Sequence, residues 1–285
     1  MIPFIFGLFG LIVGSFLNVT ILRHGVRSLG GRSGCMSCGI RLRWYDMIPV
    51  FSWLVLGGRC RMCRGPVSIQ YPLVEGATGF LFAILGFSVS PALPGLLWSG
   101  AALIVLYLCI LAVLVCIAAY DMLHTIIPDE WAYAFAALAF ISQFLQPFPL
   151  DYELLWFFLA GPIAATPLFA LWLFSRGMWM GLGDAKLALG IGWLLGPVLG
   201  LFAVFGAFII GAIVSVCILL PLPHIIRTLY TLGITSREKP AGGFTMKSEI
   251  PFGPFLICSC IIIWFASIYG IDSLRVFELL LWSSS

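Results

Sequence analysis

Two aspartates lie beside or within apolar stretches of this 285-residue chain. Asp121 follows one long apolar run, and Asp184 closes the short motif Gly181-Leu182-Gly183-Asp184 before another. A charge in hydrocarbon is costly, so an intramembrane acid is a candidate functional group when it faces protein or water rather than lipid. Two such acids on separate helices suggest a catalytic pair buried in a membrane.

A pair of adjacent carboxylates can carry out acid–base chemistry. Like charges held together cannot both ionise cheaply, so the pair shares a proton near neutral pH. One carboxylate then acts as a base on water while the protonated one polarises a peptide carbonyl. The residues also allow structural interpretations: Asp184 as a helix N-cap near Lys186, and Asp121 as a residue of the membrane interface. For Asp129, at a helix start, we favour a structural role.

Four of the nine cysteines form two Cys-x-x-Cys pairs with 21 residues between them. This spacing is typical of a four-thiolate zinc site. The alternative is a pair of disulfides, which are rare in the cytoplasm, where the charge distribution places this loop. Because four cysteines fill the coordination sphere, we expect the zinc to be structural and to stabilise a loop that has little core of its own. The predicted ligands are Cys35, Cys38, Cys60 and Cys63.

The composition is that of a membrane protein. The chain is 61% hydrophobic and 9% charged, with a mean hydropathy of +1.10, whereas soluble domains have about 25% charged residues. Apolar runs of about 20 residues are long enough to cross a bilayer core. We therefore predict an all-α polytopic membrane protein with about eight transmembrane helices, at residues 2–22, 73–90, 97–119, 130–147, 153–174, 184–196, 199–222 and 251–270.

The basic residues are strongly asymmetric in this arrangement. One side of the membrane receives 14 of the 15 lysines and arginines, and Arg275 alone falls on the other. The positive-inside rule makes the basic side cytoplasmic. Two crossings separate Asp121 from Asp184, so both lie at the cytoplasmic face.

The predicted spans and the cysteine loop divide the chain into three parts. Residues 1–22 form the first transmembrane helix, residues 23–72 a cytoplasmic zinc-binding domain, and residues 73–285 a membrane domain that carries the aspartates. The domain at 23–72 holds eight arginines. We interpret them as contacts to anionic lipid headgroups rather than to nucleic acid, because no aromatic-interleaved recognition element accompanies them.

Six sequence blocks, at residues 14–19, 35–63, 71–75, 120–129, 181–187 and 251–255, follow one another along nearly the whole chain. Together they resemble the bacterial type IV prepilin peptidases. Small departures follow Arg23 and Asp129, where the family's usual residues are replaced, and these concern local contacts only. The six blocks keep the order that they have in the family.

This resemblance implies an aspartic peptidase of the Gly-x-Gly-Asp type in the bacterial inner membrane, with Asp121 and Asp184 as its catalytic pair. Such enzymes remove the leader peptide of prepilins or pseudopilins, which serve type IV pili or type II secretion. Many then methylate the new N-terminus with S-adenosylmethionine. By the same resemblance, Cys35, Cys38, Cys60 and Cys63 match the zinc-binding block of the bifunctional members. Glu75 and Gly76 fall in the region that the family associates with methyl transfer.

Two other functions compete with this interpretation, and a third alternative, a structural zinc-bearing assembly factor, leaves the two intramembrane acids unexplained. One is a different Gly-x-Gly-Asp intramembrane protease, which the zinc block and the order of the motifs disfavour. The other, from a different class, is a proton-coupled transporter that uses the two aspartates as a relay. A transporter predicts polar residues along several spans and often internal repeats, whereas the spans between Asp121 and Asp184 are almost purely apolar and no repeat is evident.

Overall fold

The computed structural model describes residues 1–26, 28, 30–89, 98–145, 154–219 and 251–270. Over these residues the chain is helical, and its β pairing consists of two isolated bridges in the cysteine loop. The predicted all-α class is therefore confirmed. The elements are α1 (Ile2–Arg23), a 3-10 turn (Trp44–Met47), α2 (Phe51–Val55), α3 (Gln70–Val89), α4 (Trp98–His124), α5 (Asp129–Phe144), α6 (Leu154–Ser175), α7 (Leu182–Leu195), α8 (Pro197–Val214), a π-helical turn (Ser215–Leu219) and α9 (Gly253–Ile268).

Each of the eight predicted spans coincides with one of the helices α1 and α3 to α9. Five of them, α1, α3, α4, α6 and α8, contain segments long and apolar enough to cross a bilayer, and α9 is apolar but shorter. Helices α5 and α7 have 16 and 14 residues, or about 24 and about 21 Å of axial length, against a hydrocarbon core of about 30 Å. The chain is a multi-pass membrane protein, and the count of eight crossings stays a prediction.

The side assignment also stays a prediction. Some of the basic residues in the charge count lie outside the residues that the structure describes. The end of the predicted span 199–222 lies outside them as well. Those basic residues are at positions 27, 227, 237, 239, 247 and 275.

The helix boundaries beside the two aspartates differ from the sequence prediction. Helix α4 continues past residue 119 to His124, so Asp121 lies inside its last turn. Helix α7 begins at Leu182 with Gly181 as its N-cap, so Asp184 is the third helical residue and its interpretation as an N-cap is wrong. The hydropathy of a segment reports its apolar length and carries no information on one further turn of polar helix.

Helices α1 and α3 pack with their backbones in close contact. A Cβ atom added to Gly14 would lie 2.7 Å from Cα of Glu75, and one added to Gly10 would lie 2.7 Å from the carbonyl oxygen of Thr78. Small residues permit this approach between membrane helices. The amide of Asn18 donates to the carbonyl of Tyr71 at 3.1 Å. The helix that precedes the cysteine loop is thereby fixed to the helix that follows it.

Helix α7 is enclosed by α5, α6 and α8. A Cβ atom on Gly190 would lie 2.6 Å from the ring of Phe135 on α5, and one on Gly192 would overlap the carbonyl of Ala160 on α6. More than half of the residues of α7 are buried, Asp184 among them. The short helix therefore has protein around much of its surface, which lowers the cost of placing an acid in it.

Candidate active site and metal centre

Asp121 is held at both its main chain and its side chain. Its side chain is 4% exposed, and its Oδ2 accepts the backbone N–H of Gly253, the first residue of α9, at 3.1 Å. Its carbonyl accepts the N–H of Thr125 at 2.7 Å, which closes the last turn of α4. The carboxylate therefore has a fixed orientation at the junction of α4 and α9.

Asp184, 9% exposed, lies in the same neighbourhood. Ile127 packs between Gly183, which precedes Asp184, and Gly253, which binds Asp121. Its Cβ is 3.0 Å from the position that a Cβ on Gly183 would take, and its Cδ1 is 3.2 Å from the corresponding position on Gly253. The structure thus brings together the two acids that the sequence singled out, 63 positions apart in the numbering.

A salt bridge fixes the first turns of α5 and α7 relative to each other. Lys186 Nζ donates to Asp129 Oδ1 at 2.7 Å and lies 5.3 Å from the ring centroid of Tyr133. Lys186 therefore pairs with an acid on another helix rather than with Asp184. This contact agrees with the structural role favoured for Asp129.

An aromatic cluster beside Asp121 was missed in the sequence. The ring of Tyr120 stacks on His124 with centroids 4.2 Å apart, and His24 packs against Tyr120 at 5.3 Å and Trp131 at 4.5 Å. His24 Nε2 also lies 3.7 Å from Glu130 Oε2. The i, i+4 spacing of Tyr120 and His124 was a local signal for their contact, but nothing local linked them to a residue almost 100 positions earlier.

The four predicted ligands meet in one cluster. The sulfur atoms of Cys35, Cys38, Cys60 and Cys63 all lie within 4.8 Å of one another, and those of Cys35 and Cys63 are 3.8 Å apart. A tetrahedral ion with Zn–S bonds of about 2.3 Å requires sulfur atoms about 3.8 Å apart, whereas a disulfide needs about 2.05 Å. All nine cysteines are free thiols, so the cluster can hold one metal ion.

The two cysteine knuckles have the same backbone pattern. The N–H groups of Cys35 and Cys60 donate to the carbonyls five residues later, at 2.9 and 2.8 Å, and their carbonyls accept from Gly39 and Arg64 at 2.9 and 3.0 Å. Gly39 and Arg64 occupy equivalent positions and have φ of 70° and 59°. Each pair of thiols is therefore presented by a turn that needs a left-handed residue after the second cysteine.

The thiol of Cys35 is prepared for metal binding. Backbone N–H groups of Cys38 and Ser37 are the largest causes that lower its pKa, to about 6. The thiolate is the form that coordinates a metal. Soft thiolate ligands in a tetrahedral set suit zinc.

Glu75 connects the cysteine loop to the membrane helices. The residue is 6% exposed, and its Oε2 accepts the N–H of Val50 at 2.7 Å. Val50 has φ of 59°, a strained value for a β-branched residue. Gly76 has open space where a Cβ would lie. The methyl-transfer role of Glu75 and Gly76 stays a prediction.

The fold and the site define a class: a multi-pass membrane protein with two buried, neighbouring carboxylates and a separate four-thiol cluster. Family models agree with it. The model described as the bacterial peptidase A24 N-terminal domain matches residues 8–89, and that of the type IV leader peptidase family matches residues 108–216.

Curated relatives carry the name prepilin leader peptidase/N-methyltransferase. That of Pectobacterium carotovorum subsp. carotovorum is 32% identical over 232 residues, which are 72% of this chain and 80% of the relative. That of Klebsiella pneumoniae is 37% identical over 139 residues, 45% of this chain and 57% of the relative. That of Myxococcus xanthus (strain DK1622) is 53% identical over 75 residues, 26% and 22% respectively. The chain thus spans less than two thirds of the last two relatives.

No solved structure matches the chain. The agreement with the family models and with the Pectobacterium relative over most of both chains is sufficient to classify it. The chain belongs to the type IV leader peptidase family, which confirms the resemblance predicted from the sequence.

Proposed function

We propose that the protein is an aspartic endopeptidase of the bacterial inner membrane that removes the leader peptide of type IV prepilins or pseudopilins at the cytoplasmic face. We propose further that it methylates the new N-terminus with S-adenosylmethionine. The observation that carries the peptidase proposal is the meeting of Asp121 and Asp184, both buried, in a chain whose relatives are named for prepilin processing.

The chemistry needs one proton shared by the two carboxyl groups. The ionised aspartate takes a proton from a water molecule while the oxygen of that water attacks the scissile carbonyl carbon. The protonated aspartate donates its proton to the carbonyl oxygen. The tetrahedral intermediate then collapses and the C–N bond breaks. The aspartate that took the water proton passes it to the leaving amine, and the other aspartate takes a proton back from a hydroxyl group of the intermediate, so the pair again shares one proton. No covalent enzyme intermediate forms. The products are the leader peptide and a mature chain with a free α-amino group.

The position of the pair suits a membrane-embedded substrate. Asp121 lies in the last turn of α4 and Asp184 in the first turn of α7, so both are at helix ends rather than in the middle of a span. A prepilin can therefore present its cleavage site without leaving the bilayer, and water can reach the carboxylates from the adjacent loops.

The cysteines would hold zinc in a structural role, because four thiolates leave no coordination position for a reactive water. S-adenosylmethionine supplies an electrophilic methyl group to the amine that cleavage releases. Glu75 is 6% exposed and its carboxylate accepts the N–H of Val50, so it offers that donor little surface. We assign it no chemical step.

Cleavage of a purified prepilin by the wild type, Asp121→Asn and Asp184→Asn tests the proposal, with mass spectrometry of the product. We expect both variants to fold and retain zinc but to cut nothing, since neither can share a proton as the wild-type pair does. The wild-type product should gain one methyl group only when S-adenosylmethionine is present. Cleavage at the wild-type rate by either variant would exclude the catalytic pair and leave the carboxylates a relay or structural role.

A further inference from the structure

The first residue of α9 touches the carboxylate of Asp121 in two ways. The backbone N–H of Gly253 donates to Oδ2 at 3.1 Å. A Cβ atom at position 253 would lie 2.6 Å from the same oxygen and 3.3 Å from Cγ of Asp121. Position 253 therefore supplies a hydrogen bond and, by having no side chain, the space into which the carboxylate fits.

The hydrogen bond makes the two acids unequal. An N–H donor stabilises the ionised form of the carboxyl that accepts it. Within the described part of the chain no hydrogen bond reaches the carboxyl of Asp184. When the pair holds one proton, the arrangement favours the negative charge on Asp121 and the proton on Asp184.

We infer that Gly253 is a positioning residue for the peptidase reaction. Its N–H holds Asp121 ionised and oriented as the base that activates water, and Asp184 is thereby the acid that donates to the peptide carbonyl. This inference rests on the proposed function, because it assigns the roles within the proposed catalytic pair.

Other titratable groups around α4 have contacts of their own. Asp129 pairs with Lys186, Glu130 lies near His24, and Glu75 binds the N–H of Val50. Helix α9 brings no charged side chain. The acids and bases on and beside the helices around α4 are Arg23 on α1, His24 directly after α1, Glu75 on α3, His124 on α4 itself, Asp129 and Glu130 on α5, and Asp184 and Lys186 on α7.

Gly253→Ala tests the inference through the pH dependence of prepilin cleavage. The added methyl group displaces the Asp121 carboxylate from the N–H, and we expect kcat to fall by about 10²-fold, the order of loss that a misplacement of about 1 Å produces. The acid limb of the pH–rate profile should move to higher pH, because the ionised base has lost its donor. A loss of folded enzyme lowers the rate at every pH and leaves the limb in place.

Gly7→Ala on α1 is the matched control, since its methyl group would meet Cβ of Ala83 at an ordinary 3.4 Å. It should leave kcat and the pH profile unchanged. Wild-type kcat and an unmoved acid limb in Gly253→Ala would overturn the inference.

A second variant separates the contact to Asp121 from that to Ile127. If Gly253→Ala fails to fold, the double variant Gly253→Ala/Ile127→Val is used instead. It removes the 3.2 Å contact with Ile127 Cδ1 and keeps the 2.6 Å contact with Asp121. We expect this pair to fold and to show the low kcat and the shifted limb; wild-type cleavage by it would refute the role of Gly253.

The aspartate variants, assayed in parallel, distinguish the two possible failures. If Asp121→Asn and Asp184→Asn are inactive while Gly253→Ala cleaves normally, the inference fails and the proposed function stands. If Asp121→Asn cleaves normally, the proposed function fails with it.

Discussion

At the scale of single residues, the backbone conformation of the cysteine knuckles makes a prediction about metal retention. Gly39 has φ of 70° and open space around it, so Gly39→Ala creates no clash and adds only the cost of a left-handed alanine, about 1–2 kcal/mol. Because folding of this loop and metal binding are coupled, zinc should be lost to a competing chelator about tenfold more readily. Competition between the intact protein and a chromogenic chelator measures this.

Gly30→Ala is the matched control for that substitution. Gly30 also has open space where a Cβ would lie, but its φ is outside the left-handed region. Its zinc retention should equal that of the wild type. Equal retention by Gly39→Ala would show that the knuckle tolerates the strain, as the Arg64 position with φ of 59° does in the other pair.

At the scale of helices, the contact between α1 and α3 is set by backbone approach. Gly14→Ala would place a methyl group 2.7 Å from Cα of Glu75, and backbone atoms cannot move aside as a side chain can. We expect a loss of about 1–3 kcal/mol of unfolding free energy, as overpacking costs in other cores. Thermal unfolding in detergent measures it.

Gly7→Ala serves again as the reference, because both substitutions gain the same helix propensity on the same helix. Only Gly14→Ala has to separate α1 from α3. If the two variants unfold at the same temperature, the close approach of the backbones contributes nothing to stability.

The sequence predicted those features of the fold that neighbouring residues encode. Apolar length located every helix of the described bundle, and Cys-x-x-Cys spacing located the metal cluster, because a knuckle is made by consecutive residues. The N–H of Gly253 on Asp121 joins residues 132 positions apart, and no periodicity reports such a contact. The packing of His24 on Tyr120 was not predicted for the same reason, because an isolated histidine has no spacing pattern that indicates its partner.

At the scale of the whole molecule, the cysteine loop and the membrane bundle are joined through one buried carboxylate. Glu75 accepts the N–H of Val50, and Val50 has a strained φ that the surrounding contacts must maintain. Removing the acceptor with Glu75→Ala leaves that N–H without its charged partner, which costs about 1–3 kcal/mol. The segment from Trp44 to Val55 should then open more often, while the four thiols keep their metal.

Hydrogen exchange of the zinc-loaded protein, followed by mass spectrometry, measures this uncoupling. Glu75→Ala should raise exchange over residues 44–55 by about 10-fold, the equivalent of about 1.4 kcal/mol, and leave the zinc content unchanged. Glu130→Ala is the control, because it removes a carboxylate that is 78% exposed and should alter neither quantity. Unchanged exchange in Glu75→Ala would mean that the chain connections at α1 and α3 alone position the loop. Loss of zinc together with faster exchange would mean that loop and metal site unfold as one unit.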